Sequence, residues 1–162
     1  MAMNWRSSPR SVAADLAQDV RLLDAPFDPA GEMASFNAAH GGAGGIVSFL
    51  GQVRGAGAEL LELRHYAPLT LPGMRELAQT CITRWQLDGL LMLHRTGQMA
   101  PGAPIVLVAA AAPHRRQAFA AADYAMDHLK SESWFWKRER RAGQWHWIEP
   151  RADDYAGLAR WV

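Results

Sequence analysis

The sequence predicts an α+β fold in which strands pair largely antiparallel and two long helices pack against the sheet. Three observations predict it. The run Ile105-Val106-Leu107-Val108-Ala109-Ala110 has no polar position, which marks a strand covered on both faces. Residues 113–130 place Ala118, Ala122, Ala125, Met126 and Leu129 on one helical stripe that suits close packing on a sheet. Residues 134–139 and 144–148 read as two strands turning at Arg141-Ala142-Gly143.

In chain order, residues 1–14 carry Arg6, Arg10 and several serines but no acid. They weakly resemble a transit peptide and equally fit a frayed polar terminus, so residues 1–18 are expected to be disordered and 19–162 to form one domain. Residues 20–23 make a short strand ended by Pro26 and Asp28-Pro29, and 32–39 a short helix. Gly41-Gly42-Ala43-Gly44-Gly45 precedes a strand and lacks the lysine of a phosphate loop, so it reads as a flexible entry into a buried strand over 46–55. Residues 59–66 alternate and are expected to pair antiparallel with that strand. A helix over 70–85 turns Leu77, Cys81 and Trp85 inward, and a strand over 90–94 and a turn over 97–102 lead to the apolar strand. Pro113 opens the longest helix, on which Asp123 and Asp127 are expected to face water.

Composition excludes several classes. Hydrophobic residues at 49% and charged residues at 20% give 162 residues an ordinary globular balance and enough material for one core. A net charge of +1 supplies no global field for nucleic acid or membrane. Cys81 is the only cysteine, which excludes an intrachain disulfide, and it reads as a core residue. His65, His94, His128 and His146 lack ligand spacing, so no metal is expected. No apolar run reaches membrane-spanning length, and a cytoplasmic protein is expected.

The chemistry concentrates in two places. Lys130 and Lys137 bracket the aromatic run Trp134-Phe135-Trp136, where apolar rings solvate an ammonium poorly and lower its pKa. The plain alternative is a pair of solvated lysines flanking a core strand. His114, Arg115 and Arg116 occupy the first turn of a helix, where the macrodipole disfavours cations unless an anion joins them. With the free N–H groups of that turn they suit phosphate or carboxylate. Arg54 ends its strand between small residues, and Arg151 either pairs with Glu149 or points back to the site. Arg138, Arg140 and Arg141 are expected to be solvated at the hairpin. From His114 to Lys130 is about 24 Å along the helix, too far for one small substrate. If both ends serve one site, the His114 end comes from a second copy of the chain.

Assembled, these residues resemble the large, catalytic subunits of molybdopterin synthase. The likeness runs from about Gly44 to Trp161 and is carried by Gly45-Ile46-Val47-Ser48-Phe49-Leu50-Gly51-Gln52-Val53-Arg54, Leu63-Arg64-His65-Tyr66, His94-Arg95-Thr96-Gly97, Pro113-His114-Arg115, Met126-Asp127-His128-Leu129-Lys130, Phe135-Trp136-Lys137-Arg138-Glu139 and Trp147-Ile148-Glu149-Pro150-Arg151. The resemblance implies an α/β hammerhead fold with an additional β subdomain, and a homodimer whose ends each bind a small ubiquitin-like sulfur-carrier subunit. That subunit's C-terminal Gly-Gly, activated as a thiocarboxylate, would pass sulfur in two rounds to cyclic pyranopterin monophosphate. The product is the molybdopterin dithiolene, and the chain needs no cofactor of its own. By position, Lys130 and Lys137 match the family's catalytic lysines. Arg54, His114, Arg115, Arg138 and Arg151 fall in its substrate-binding motifs.

The chain departs from that pattern in three places. Gln52 stands where lysine is common. Residues 67–71 separate His65-Tyr66 from Pro72-Gly73-Met74, which the family usually joins directly. Ser131-Glu132-Ser133-Trp134 occupies a segment where the family often has Thr and Ala-Pro, and Glu132 would raise the pKa of a lysine it paired with. Two rivals keep the same residues. One is a module that docks a ubiquitin-like tail without chemistry; the other is a nucleic-acid binder using residues 137–141 and the tryptophans, disfavoured by the near-neutral charge.

Overall fold

The computed structural model describes residues 17–131 and 134–162. Residues 1–16 of the expected disordered start, and Glu132, lie outside the described residues, whereas Gln18 already opens the first strand. The order is β1 (Gln18–Leu23), α1 (Pro29–Ala39), β2 (Gly45–Gln52), β3 (Leu60–His65), α2 (Ala67–Trp85), β4 (Gly89–Arg95), β5 (Gly97–Met99), β6 (Pro104–Ala112), α3 (Arg115–Ser131), β7 (Phe135–Arg141), β8 (Gln144–Ile148) and α4 (Ala152–Ala159). The strands form two sheets, β1-β4-β6-β2 and β5-β3-β7-β8. Every pairing is antiparallel except β1 with β4.

The apolar run of β6 lies inside the first sheet, as its composition requires. Val106, Val108, Ala110 and Ala112 face one core with residues of α2 and α3, and Leu107, Ala109 and Ala111 face a second with Phe36 of α1. The alanine stripe of α3 lets that helix approach closely: Ala118, Ala121 and Ala125 are fully buried. Cys81 is buried in the same core, and desolvation pushes its thiol up to about 12, which leaves it an inert packing residue.

Strand pairing corrects the sequence reading. β2 is not buried and does not pair with β3. It is the edge strand beside β6, with Phe49 and Leu50 exposed. β3 lies in the second sheet between β5 and β7. Its alternation explains the choice. Leu61 and Leu63 pack with Val53 and Met99 in a third core. Glu62 points the other way and meets Arg138 across the ladder, a partner that β2 does not offer. The expected turn after β4 contains the short β5, and α2 starts three residues early at Ala67.

α4 was not anticipated, and it changes the surface of α3. Asp127 does not face water: it accepts hydrogen bonds from Arg160 at 2.6 Å and from the Trp161 indole at 2.7 Å. Asp123 is paired with the same arginine. Gly157 of α4 sits against the Asp127 carboxylate, where a Cβ would come within 2.7 Å of an oxygen. Ser131 ties the end of α3 to the Asp154 carbonyl at 2.8 Å.

Candidate active site

A cleft of about 510 Å³ opens where the end of α3, the inner face of β7–β8, the end of β2 and the start of α4 converge. Each element delivers one cation. Arg54 follows β2, Lys130 ends α3, Lys137 lies on β7 and Arg151 precedes α4. Among the described residues, none of these four side chains takes part in a hydrogen bond or ion pair. Elsewhere Arg21, Arg64, Arg138, Arg140, Arg141 and Arg160 are all engaged with carboxylates. The carboxylates at the cleft offset this charge only in part. Glu139 is bound by Arg141 at 2.8 Å, and Asp154 accepts the Arg151 backbone N–H at 3.0 Å; Glu149 sits exposed at the rim. Unpaired cations converging on one concavity define an anion site.

Strand geometry puts Lys137 in this cleft. It pairs across the ladder with Leu63 and Ile148, so its side chain shares their face of the sheet. The mouth leaves Lys137 accessible, while the packed walls strip much of its hydration. That desolvation lowers its pKa below the ordinary lysine value. The charges of Lys130 and Arg151 act in the same direction, and Asp154 opposes them. Beneath the strand, Phe135 stacks on His94 with ring centroids 3.9 Å apart. Burial pushes His94 down to about 4. The ring is therefore neutral and its Nδ1–H donates to the Arg95 carbonyl at 3.0 Å.

The same alternation removes Arg138 from the site. It lies opposite Glu62 and Trp147, on the other face of the sheet from Lys137. Its guanidinium is bound to Glu62 and sits 4.4 Å from the Trp145 ring. Arg138, expected to bind substrate, here turns away from Lys137 towards Glu62, because neighbouring strand residues point to opposite faces. Arg140 and Arg141, expected to be solvated, pair with Glu59 and Glu139.

His114 and Arg115 are exposed at the far end of α3, away from the cleft. The glycines before β2 serve this corner. A Cβ on Gly44 would lie 1.8 Å from the Pro113 carbonyl oxygen, so the chain must pass there without a side chain. Asp154 and Tyr155 line the cleft and were missed from the sequence. Their signal was the acidic pair Asp153-Asp154 just after Pro150, a helix-start pattern. Among the described residues, no cluster of three or more His, Cys, Asp or Glu is placed to hold a metal ion, and no helix is long and apolar enough to cross a membrane.

Comparison with known proteins agrees with this geometry. The family model described as MoaE protein matches residues 22–132. The molybdopterin synthase catalytic subunit of Ralstonia nicotianae is 40% identical over 146 residues, 88% of this chain and 83% of that one. That of Caulobacter vibrioides is 42% identical over 144 residues, 88% of this chain and 96% of that one. Among solved structures, the molybdopterin biosynthesis MoaE protein of Burkholderia ambifaria superposes with a TM-score of 0.75 at 35% identity, covering 88% of this chain and 96% of that one. Fold and relatives together define a sulfurtransferase-type subunit of molybdenum cofactor biosynthesis, an α/β hammerhead carrying an extra β sheet. The chain belongs to the MoaE family, the catalytic subunits of molybdopterin synthase.

Proposed function

We propose that the cleft receives the C-terminal Gly-Gly tail of a small ubiquitin-like subunit and transfers its thiocarboxylate sulfur to cyclic pyranopterin monophosphate in the cytoplasm, with no cofactor of its own. The observation that carries this reading is the convergence of Arg54, Lys130, Lys137 and Arg151 on one cavity without carboxylate partners of their own among the described residues. Thiocarboxylate and phosphate are anions, and arginine forks orient such groups. Each round exchanges sulfur for oxygen: the acyl C–S bond breaks and water oxygen takes its place on the tail as a carboxylate, while the sulfur bonds to a substrate carbon that gives up its oxygen. Lys130 acts either as the proton carrier or as the nucleophile at the acyl carbon. Lys137, held below the ordinary lysine pKa, stabilises developing negative charge or holds the substrate.

The reading includes a dimer with composite sites. β2 links the two regions that α3 separates. Its Gly45 end packs on Arg115, with a Cβ at Gly45 falling 3.5 Å from the Arg115 Cα, and its Gln52 end lines the cleft. β2 is an edge strand with no charge or proline, and Phe49 and Leu50 are exposed near its middle. Such an edge invites pairing. Two copies paired antiparallel along β2 would bring His114 and Arg115 of one to the cleft of the other.

The test is a sulfur-transfer assay with a thiocarboxylated carrier subunit and the pterin substrate. Lys130→Ala and Lys137→Ala are each expected to lower kcat at least about 100-fold with the fold intact. Wild-type turnover in either variant would remove that lysine from the mechanism.

A further inference from the structure

Only the short link between Ser131 and β7 separates the two lysines in sequence, and its one described residue, Trp134, is clamped. The indole lies flat on the backbone of α2 at Gly73. A Cβ there would meet indole atoms Cε2, Cζ2 and Nε1 at 2.6, 2.6 and 2.7 Å, so only glycine leaves the slot open. The Trp134 carbonyl accepts from Thr70 Oγ1 at 3.1 Å. Thr70 is fully buried and shares its single hydroxyl proton with the Tyr66 carbonyl, also at 3.1 Å. The next residue, Phe135, is held by its stack on His94. On the other side, Ser131 Oγ is fixed between the carbonyls of Asp127 and Asp154.

Thr70 and Trp134 lie 64 positions apart in the chain. Their contact makes them one feature. We propose that Trp134 is a positioning residue: seated on Gly73 and bonded to Thr70, it sets the placement of Lys137 relative to Lys130 across the cleft. The inference rests on the roles given above to the two lysines. It assigns Trp134 no contact with substrate.

The test uses the full chain with its carrier subunit and substrate. Gly73→Ala expels the indole without altering any cleft residue, and is expected to lower kcat about 10- to 100-fold while KM for both substrates stays within about two-fold. Trp134→Ala is expected to match that loss. The double variant should be no worse than either single one, because a ring that is absent cannot be displaced. Trp134→Phe should regain most of the rate. A second readout needs no turnover: acetylation of Lys137 by an N-hydroxysuccinimide ester, followed by mass spectrometry, should slow at least about three-fold in Gly73→Ala as the amine returns to fuller hydration. Should Trp134→Ala fail to fold, Gly73→Ala and Trp134→Phe carry the same comparison. Unchanged kcat in folded Gly73→Ala, losses that multiply in the double variant, or unchanged acetylation of Lys137 would each overturn the proposal. Full activity of Lys130→Ala and Lys137→Ala would instead overturn the catalytic reading, with the acetylation result still deciding whether Trp134 positions Lys137.

Discussion

At the scale of single residues, burial decides what each titratable group contributes. Burial above all, helped by the neighbouring Lys137 charge, holds His94 neutral beneath β7, with its pKa pushed down to about 4. An unfolded histidine takes up its proton near pH 6.5. Between these values the unfolded chain binds a proton that the folded chain refuses, so stability falls as the pH drops from 6.5 towards 4. The fall amounts to about 3 kcal/mol from this residue. His94→Phe keeps the stack on Phe135 and removes the proton site. Denaturant melts at pH 4.5 and 7 should show a flatter pH dependence in the variant; an equal slope in both proteins would place the acid sensitivity elsewhere. The sequence showed a histidine in an apolar strand but not this role, which depends on what lies above and below the ring. The lysine pair, by contrast, was legible, because ammonium groups beside three aromatic residues stand out in any arrangement.

At the scale of elements, the second sheet keeps its chemistry and its structure on opposite faces. Lys137 and Ile148 look into the cleft, while Glu62, Arg138 and Trp145 form the outer layer. The Arg138 hydrogen bond outweighs desolvation and lowers the pKa of Glu62. The stabilisation from that carboxylate is complete above the ordinary glutamate value and is lost as pH falls below it. Glu62→Gln leaves the Arg138 guanidinium half-buried without its counter-charge and should cost about 3 kcal/mol in chemical denaturation. KM and kcat should stay near wild type, because neither Glu62 nor Arg138 lines the cleft. A raised KM with unaltered stability would return Arg138 to substrate binding. Alternation along β7 already separated Lys137 from Arg138 in the sequence. The pairing of β3 with β7 rather than β2 was not legible, since several strands share the same hydrophobic alternation and only the ladder shows which one supplies the arginine for Glu62.

At the scale of the whole molecule, one copy holds the cleft and the His114–Arg115 corner at opposite ends of α3. Complementation tests whether two copies join them. Lys130→Ala and Arg115→Ala should each be inactive alone. Mixed in equal amounts under conditions that exchange subunits, half the dimers are mixed and each has one intact site, so about a quarter of wild-type activity should return. Leu50→Lys, which sets a charge on the open edge of β2, should abolish that recovery and yield monomers in sedimentation. Recovery without β2 pairing, seen as full activity in Leu50→Lys, would keep the composite site and reject its geometry.

By itself the sequence determined three of the four helices and most strands, the inert cysteine, the lysine pair and the family likeness. All of these follow from local patterns: hydrophobic period, turn chemistry and the spacing of charged residues. Tertiary structure decided which strands adjoin, which arginines are free, that α4 covers Asp127, and that Trp134 rests on Gly73. The reason is physical. Local sequence sets the direction a side chain points from its own element, whereas its partner and its pKa are set by whatever the rest of the fold places opposite it.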